Sequence, residues 1–174
     1  FGGRVEIAAV NGPSAIVVTG DKVDVRPLVE RWKSAGRKAT DLRVSHAFHS
    51  AHLDPMLAEF EAVVAGVEHR VPKIRVVSCL EPDADVSEPT HWVRQARHTV
   101  RFFDGVRLAH QLGAMTFVDL GPDGSAAALT GGCLGDQRDV AVIPAVRDEG
   151  SEVWAVQRAL ARVHTRGGDL DWDA

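Results

Sequence analysis

The chain has 174 residues, of which 45% are hydrophobic and 25% charged, with a formal net charge of -4. That profile suits a globular core of one sizeable or two small domains, and the acidic balance argues against a nucleic-acid-binding domain. No apolar run approaches the roughly 18 residues of a membrane helix, no signal peptide is read, and two cysteines are too few for a disulfide framework.

A reducing cytoplasmic setting fits, with Cys79 and Cys133 as small hydrophobes or bystanders. The opening Phe1-Gly2-Gly3-Arg4 lacks an initiator Met and reads as the start of a piece of something longer. Residues 5–10 then form a β-prone run, Asn11-Gly12-Pro13-Ser14 turns the chain, and residues 15–19 form a second strand. Asp21 is a helix cap for a stretch carrying Val25, Leu28, Val29 and Trp32 at helical spacing, which Gly36 ends. Residues 39–44 read as a third strand. Strand, strand, helix, strand over so short a span predicts a small α+β unit with an antiparallel sheet.

The next stretch, from Val44 to Met56, holds three of the eight histidines, His46, His49 and His52, between a strand-like and a helix-like run. Three readings compete. The rings are ordinary loop residues with satisfied hydrogen bonds; or they hold a metal, although no flanking acid gives a known zinc spacing; or one of them is a general base. Asn11 has the same ambiguity, since its amide serves either the backbone of its turn or a substrate.

A helix from Asp54-Pro55 to about residue 67 places Leu53, Leu57, Phe60, Val63 and Val64 on one side. Residues 73–78 read as a strand with Pro72 at its start, and residues 81–89 as an acidic surface loop. Residues 91–97 begin a helix with Trp92 and Val93 buried, and residues 100–112 form another. Residues 115–120 and 140–143 are apolar strands of a parallel sheet, with a helix-like run at 126–130 between them. Asp119-Leu120-Gly121-Pro122 lacks a full phosphate-loop pattern and reads as a structural turn. The tail, residues 151–164, is amphipathic through Val153, Val156, Leu160 and Val163.

Several motifs now stand in one order: Ala9-Val10-Asn11-Gly12-Pro13, His46-Ala47-Phe48-His49-Ser50, Trp92-Val93-Arg94-Gln95 with Val100-Arg101-Phe102, and Asp119-Leu120-Gly121-Pro122. Together they resemble the C-terminal part of the malonyl-CoA:acyl carrier protein acyltransferase domains of modular polyketide synthases. Ala159-Leu160-Ala161 to His164, Gly167 and Asp171-Trp172 resemble the linker that follows such domains. The resemblance covers nearly the whole chain, and His-Ala-Phe-His-Ser is its most specific piece.

It implies an α/β fold. Residues 1–44 would be a ferredoxin-like small subdomain incomplete at its start. Residues 45–147 would be the C-terminal half of an α/β-hydrolase-like core, and residues 148–174 a linker. It implies a serine transferase that moves malonyl from malonyl-CoA to the phosphopantetheine thiol of an acyl carrier protein, with no bound cofactor and no metal. His49 would be the base, oriented by the backbone carbonyl of Gln95, while Asn11, His46 and Phe48 would lie on the substrate. His-Ala-Phe-His accompanies malonyl selection in the family, and Tyr-Ala-Ser-His accompanies methylmalonyl selection. Further partners implied are the missing N-terminal half of the domain and a neighbouring ketosynthase, reached through the linker; nucleic acid and membrane are not expected.

Two departures from the family stand out. No Gly-His-Ser-x-Gly elbow occurs, since Ser14, Ser50 and Ser125 all lack the pattern, and Thr99 stands where the family usually has Pro. The nucleophile, the carboxylate-binding Arg and the oxyanion donors would lie before Phe1, so the chain alone is expected to be inactive. A non-catalytic module of this fold and a small His-rich metal protein are the rival readings.

Overall fold

A computed structural model describes residues 4–146 and 151–172. The chain is α/β and divides into two compact units, one ending at Gly105 and the other running from Val106.

The first unit opens with an antiparallel hairpin, β1 (Val5–Gly12) and β2 (Ala15–Gly20). Asn11 and Gly12 belong to β1, so the turn narrows to Pro13-Ser14, where fixed proline geometry suits a tight reversal. At the far end a Cβ on Gly20, whose φ is 145°, would lie 2.4 Å from the Arg4 carbonyl oxygen, so only glycine fits. The other edge of β1 meets residues 99 and 100. Val10 N donates to Val100 O and Val100 N to Ala8 O, both at 2.8 Å. Thr99 Oγ1 donates to Ile7 O at 2.6 Å, a bond that proline at this position could not make.

Helix α1 (Lys22–Ser34) follows, with Asp21 at its N-cap and Gly36 past its end at φ 74°. Asp21 makes no side-chain cap bond, because its carboxylate is turned to His52. Residues 37–44 are not a strand, and neither are residues 73–78, contrary to both expectations. Their β-branched composition favours extended backbone, but a strand also needs a neighbour, and among the described residues none runs beside them. Leu42, Val44, Ile74 and Val76 are accordingly exposed.

A single 3-10 turn (Ala51–Leu53) leads into α2 (Asp54–Ala65), which packs on α3 (Pro89–Arg97). Leu53, Leu57, Phe60 and Val64 form the inward stripe of α2, while Val63, one residue out of phase, is exposed. In α3 the buried ring is His91, not Trp92. The indole Nε1 reaches out to the Val86 carbonyl at 3.0 Å, and that polar tip keeps Trp92 at the surface. Helix α4 (Phe102–Gln111) crosses from the first unit to the second.

In the second unit β3 (Thr116–Asp119) and β4 (Ala141–Pro144) pair in parallel, connected by α5 (Ser125–Leu134). Asp119 closes the turn between β3 and α5. Its Oδ1 accepts from Gly121 N and its Oδ2 from Ala127 N, both at 2.8 Å, so one carboxylate shapes the turn and satisfies a free amide of the helix start. Ile143, at 0% exposure, anchors the core with Ala145 and Ala159. Helix α6 (Glu152–Thr165) turns Ala155, Ala159 and Val163 inward. Val153, Val156 and Leu160 are exposed, so of the expected stripe only Val163 faces the core; the small side chains allow the helix to sit close to β4.

Candidate active site

The stretch from His46 to Asp54 is a tightly bonded loop in the first unit. Its focal residue, His49, has φ 55°, the only positive φ outside glycine among the described residues. That conformation is disfavoured for a side chain of this size and persists only where the surroundings hold it. Ser50, 1% exposed, spans the turn: its Oγ donates to Ala47 O at 2.6 Å and accepts from His52 N at 3.3 Å. Its proton is therefore committed to the loop. On the far side Ala51 N donates to Glu6 Oε1 at 2.7 Å.

The three histidines point to three different partners. His46 Nδ1 lies 2.9 Å from Ser45 Oγ, and its ring meets Phe48 edge-on at 5.9 Å between centroids. His52 lies in the 3-10 turn rather than on α2, and its Nε2 is 3.1 Å from Asp21 Oδ1. His49 Nδ1 is 3.1 Å from the carbonyl oxygen of Gln95, in the last turn of α3. No group of three or more His, Cys, Asp or Glu is arranged for a metal among the described residues. A carbonyl only accepts, so Nδ1 of His49 carries the proton and Nε2 presents its lone pair. Such an imidazole can receive a proton at Nε2 while its tautomer is held from behind.

Phe48 is 46% exposed, beside His49 in sequence and free to meet a ligand. Asn11 sits half-buried at the end of β1 and is engaged by an interaction there.

Behind the loop lies a charged cluster that sequence reading did not single out. Arg97, two residues after Gln95, donates from Nη1 to Glu6 Oε2 at 2.9 Å and from Nε to Asp54 Oδ1 at 2.5 Å. Glu6 is held below the ordinary carboxylate range by the Ala51 amide, with Arg97 adding to the effect against partial burial. The available signal was Glu6 itself, an acid flanked by Val5 and Ile7 in an apolar strand, which demands a partner.

A model of the acyl transferase domain matches residues 2–169. The chain belongs to the acyl transferase domain family. It is 43% identical over 182 residues to the polyketide synthase GfsB of Streptomyces halstedii, covering 99% of this chain and 3% of that one. It is 38% identical over 177 residues to the spectinabilin polyketide synthase protein NorB of Streptomyces orinoci. There the match covers 98% of this chain and 8% of NorB. Among solved structures it is similar to the acyltransferase domain of the second module of the salinomycin polyketide synthase. The TM-score is 0.92 at 39% identity, over 99% of this chain and 41% of that one. It also resembles a malonyl-transacylase solved with its type II acyl carrier protein, at TM-score 0.76 and 25% identity, covering 90% of this chain and 51% of that one. The chain thus spans well under two thirds of the length of each of these relatives.

Proposed function

We propose that the chain is the C-terminal part of a polyketide synthase acyltransferase domain that transfers malonyl from malonyl-CoA to the phosphopantetheine thiol of an acyl carrier protein. Residues 1–44 belong to a ferredoxin-like small subdomain, residues 45–147 to an α/β-hydrolase-like core, and residues 148–174 to a linker toward a ketosynthase. The observation that carries the reading is the bond from His49 Nδ1 to the Gln95 carbonyl, which leaves Nε2 as the basic atom.

The chemistry follows from that atom. His49 Nε2 takes the proton of a serine hydroxyl supplied by the upstream half of the domain. The serine oxygen attacks the thioester carbonyl, and the C–S bond to CoA breaks. The imidazolium returns its proton to the departing sulfur. In the second half-reaction the carrier thiol gives up its proton to Nε2 and its sulfur attacks the acyl carbonyl; the C–O bond to serine breaks, and the imidazolium returns its proton to the serine oxygen. A carbonyl behind the ring fixes the tautomer without adding a full negative charge, as an Asp would.

Phe48 and His46 bear on the acyl group. The ring of Phe48 occupies space next to the base where a substituent on C2 of the acyl chain would sit, and the edge-on contact with His46 holds it there. One methyl group in an apolar pocket is worth about 1–3 kcal/mol, so the preference for malonyl is strong and incomplete.

The test is a competition of malonyl-CoA and methylmalonyl-CoA for the complete domain, followed by transfer to a carrier protein. The expected result is malonyl-loaded carrier in excess. Replacing His46→Tyr and Phe48→Ser together raises the methylmalonyl share and lowers the malonyl rate. Equal use of both esters by the unmutated domain contradicts the role of Phe48, and failure to load the carrier contradicts the function.

A further inference from the structure

The Glu6–Arg97–Asp54 cluster has no part in the chemistry above, yet it joins three elements around His49. Glu6 lies on β1, Asp54 opens α2, and Arg97 closes α3 two residues after Gln95. Among the described residues, Arg97–Glu6 is the ion pair whose two side chains are both well covered, at 22% and 32% exposure. Surface pairs such as Arg70–Glu68 stand at 80% and 73%. Exposed pairs contribute little because water screens them, whereas a covered, two-armed guanidinium holds a geometry.

The connections run in a closed circuit. From Gln95 the backbone passes to Arg97. One arm of the guanidinium then reaches Glu6, whose other oxygen accepts from Ala51 N, two residues past His49. The second arm reaches Asp54, five residues past His49. The ring of His49 closes the circuit onto the Gln95 carbonyl. His49 meanwhile sits at φ 55°, a conformation its own sequence does not favour. Ser50 staples the turn locally, but that bond does not reach α3. Besides the His49–Gln95 bond itself, a side-chain link from the loop to α3 runs through Arg97.

We infer that Arg97 is a positioning residue: by pairing with Glu6 and Asp54 at once it fixes the Gln95 carbonyl against the His49 ring and so selects the Nδ1–H tautomer of the base. This rests on the proposed role of His49. Lysine keeps the charge, but its compact ammonium on a flexible stem lacks the rigid planar fork that sets separate N–H groups toward Glu6 and Asp54 in one geometry. A displaced ring costs rate, since an error of about 1 Å in a catalytic group can cost on the order of a hundredfold.

The experiment uses the complete acyltransferase domain with Arg97→Lys, Glu6→Gln, His49→Ala and a surface control, Arg70→Lys. Single-turnover malonylation gives the rate and the apparent KM. Nitrogen-15 NMR of labelled histidine reads the His49 tautomer. Expected for Arg97→Lys is a fall of about tenfold to a hundredfold in rate with little change in KM. With it goes a shift of the His49 signal from Nδ1–H toward a tautomer mixture. Glu6→Gln keeps an acceptor for Ala51 N, so its effects run the same way and are smaller, and Arg70→Lys changes nothing. If Arg97→Lys fails to fold, Glu6→Gln decides on the same two readouts. Unchanged rate and tautomer in the folded cluster variants, with His49→Ala inactive, overturn the positioning role alone. So does a loss of rate with the tautomer unchanged. A fully active His49→Ala overturns the reading beneath it.

Discussion

His49 is held in an unfavourable backbone conformation by neighbours that are mostly small and polar. Ser50 is the closest of these. Ser50→Ala removes the bond to Ala47 O and leaves that carbonyl short of a donor in a covered site. A loss of about 1–2 kcal/mol in stability is expected, with a slower acylation rate, measured by thermal unfolding and single-turnover assay. His52→Ala should be mild, at most about 1 kcal/mol, since its contact with Asp21 is solvent-exposed. His91 is a different case. It is buried, its Nδ1 has no hydrogen-bond partner among the described residues, and burial pushes its pKa below the ordinary 6.5. A depressed histidine pKa means that the unfolded chain takes the proton first. Its contribution is therefore intact above about pH 6.5 and lost as pH falls through the lower folded value. His91→Phe keeps the ring and drops the unpaired nitrogen. It should raise stability by about 1 kcal/mol at neutral pH and flatten the loss on acidification, as followed by denaturant unfolding from pH 7.5 to 5. At this scale the sequence made the motif His46 to Ser50 legible, because those residue types recur together in one family. It hid Arg97, whose significance lies in contacts to residues 43 and 91 positions away.

Among the elements, helices were easier to read than strands. Periodicity located α2 within about two residues and most of its inward stripe, since a helix satisfies its own backbone. Residues 39–44 and 73–78 carry strand-forming residues but remain unpaired, because pairing depends on a second segment that propensity does not encode. The parallel order of β3 and β4 was legible from two apolar runs flanking a helix. The face of α6 was not. Its larger apolar residues suggested Val153, Val156 and Leu160, yet the approach to β4 selects Ala155 and Ala159, at 3% and 5% exposure. Ala159→Leu therefore overpacks that contact and should cost about 1–3 kcal/mol, whereas Val153→Ala should change stability little; thermal unfolding distinguishes the two.

For the whole molecule, the notable property is how much large apolar surface is uncovered. Val23, Val71, Ile74, Leu120 and Trp154 are between 71% and 82% exposed. Apolar faces and unpaired extended segments of this kind promote association. We expect the 174-residue chain expressed alone to aggregate and to bind a hydrophobic dye. Coexpression with the upstream half of the domain should restore a soluble species, seen by size-exclusion chromatography. The chain alone should also take no malonyl from malonyl-CoA, because it has no serine elbow; stable malonylation of it would contradict that. The central claim is that His49 is the base of the completed domain. Single-turnover malonylation of the complete domain, unmutated and with His49→Ala, tests it most directly. The account predicts a fall of about 10²- to 10⁴-fold in rate with the fold intact. A His49→Ala domain that acylates at close to the unmutated rate would contradict it.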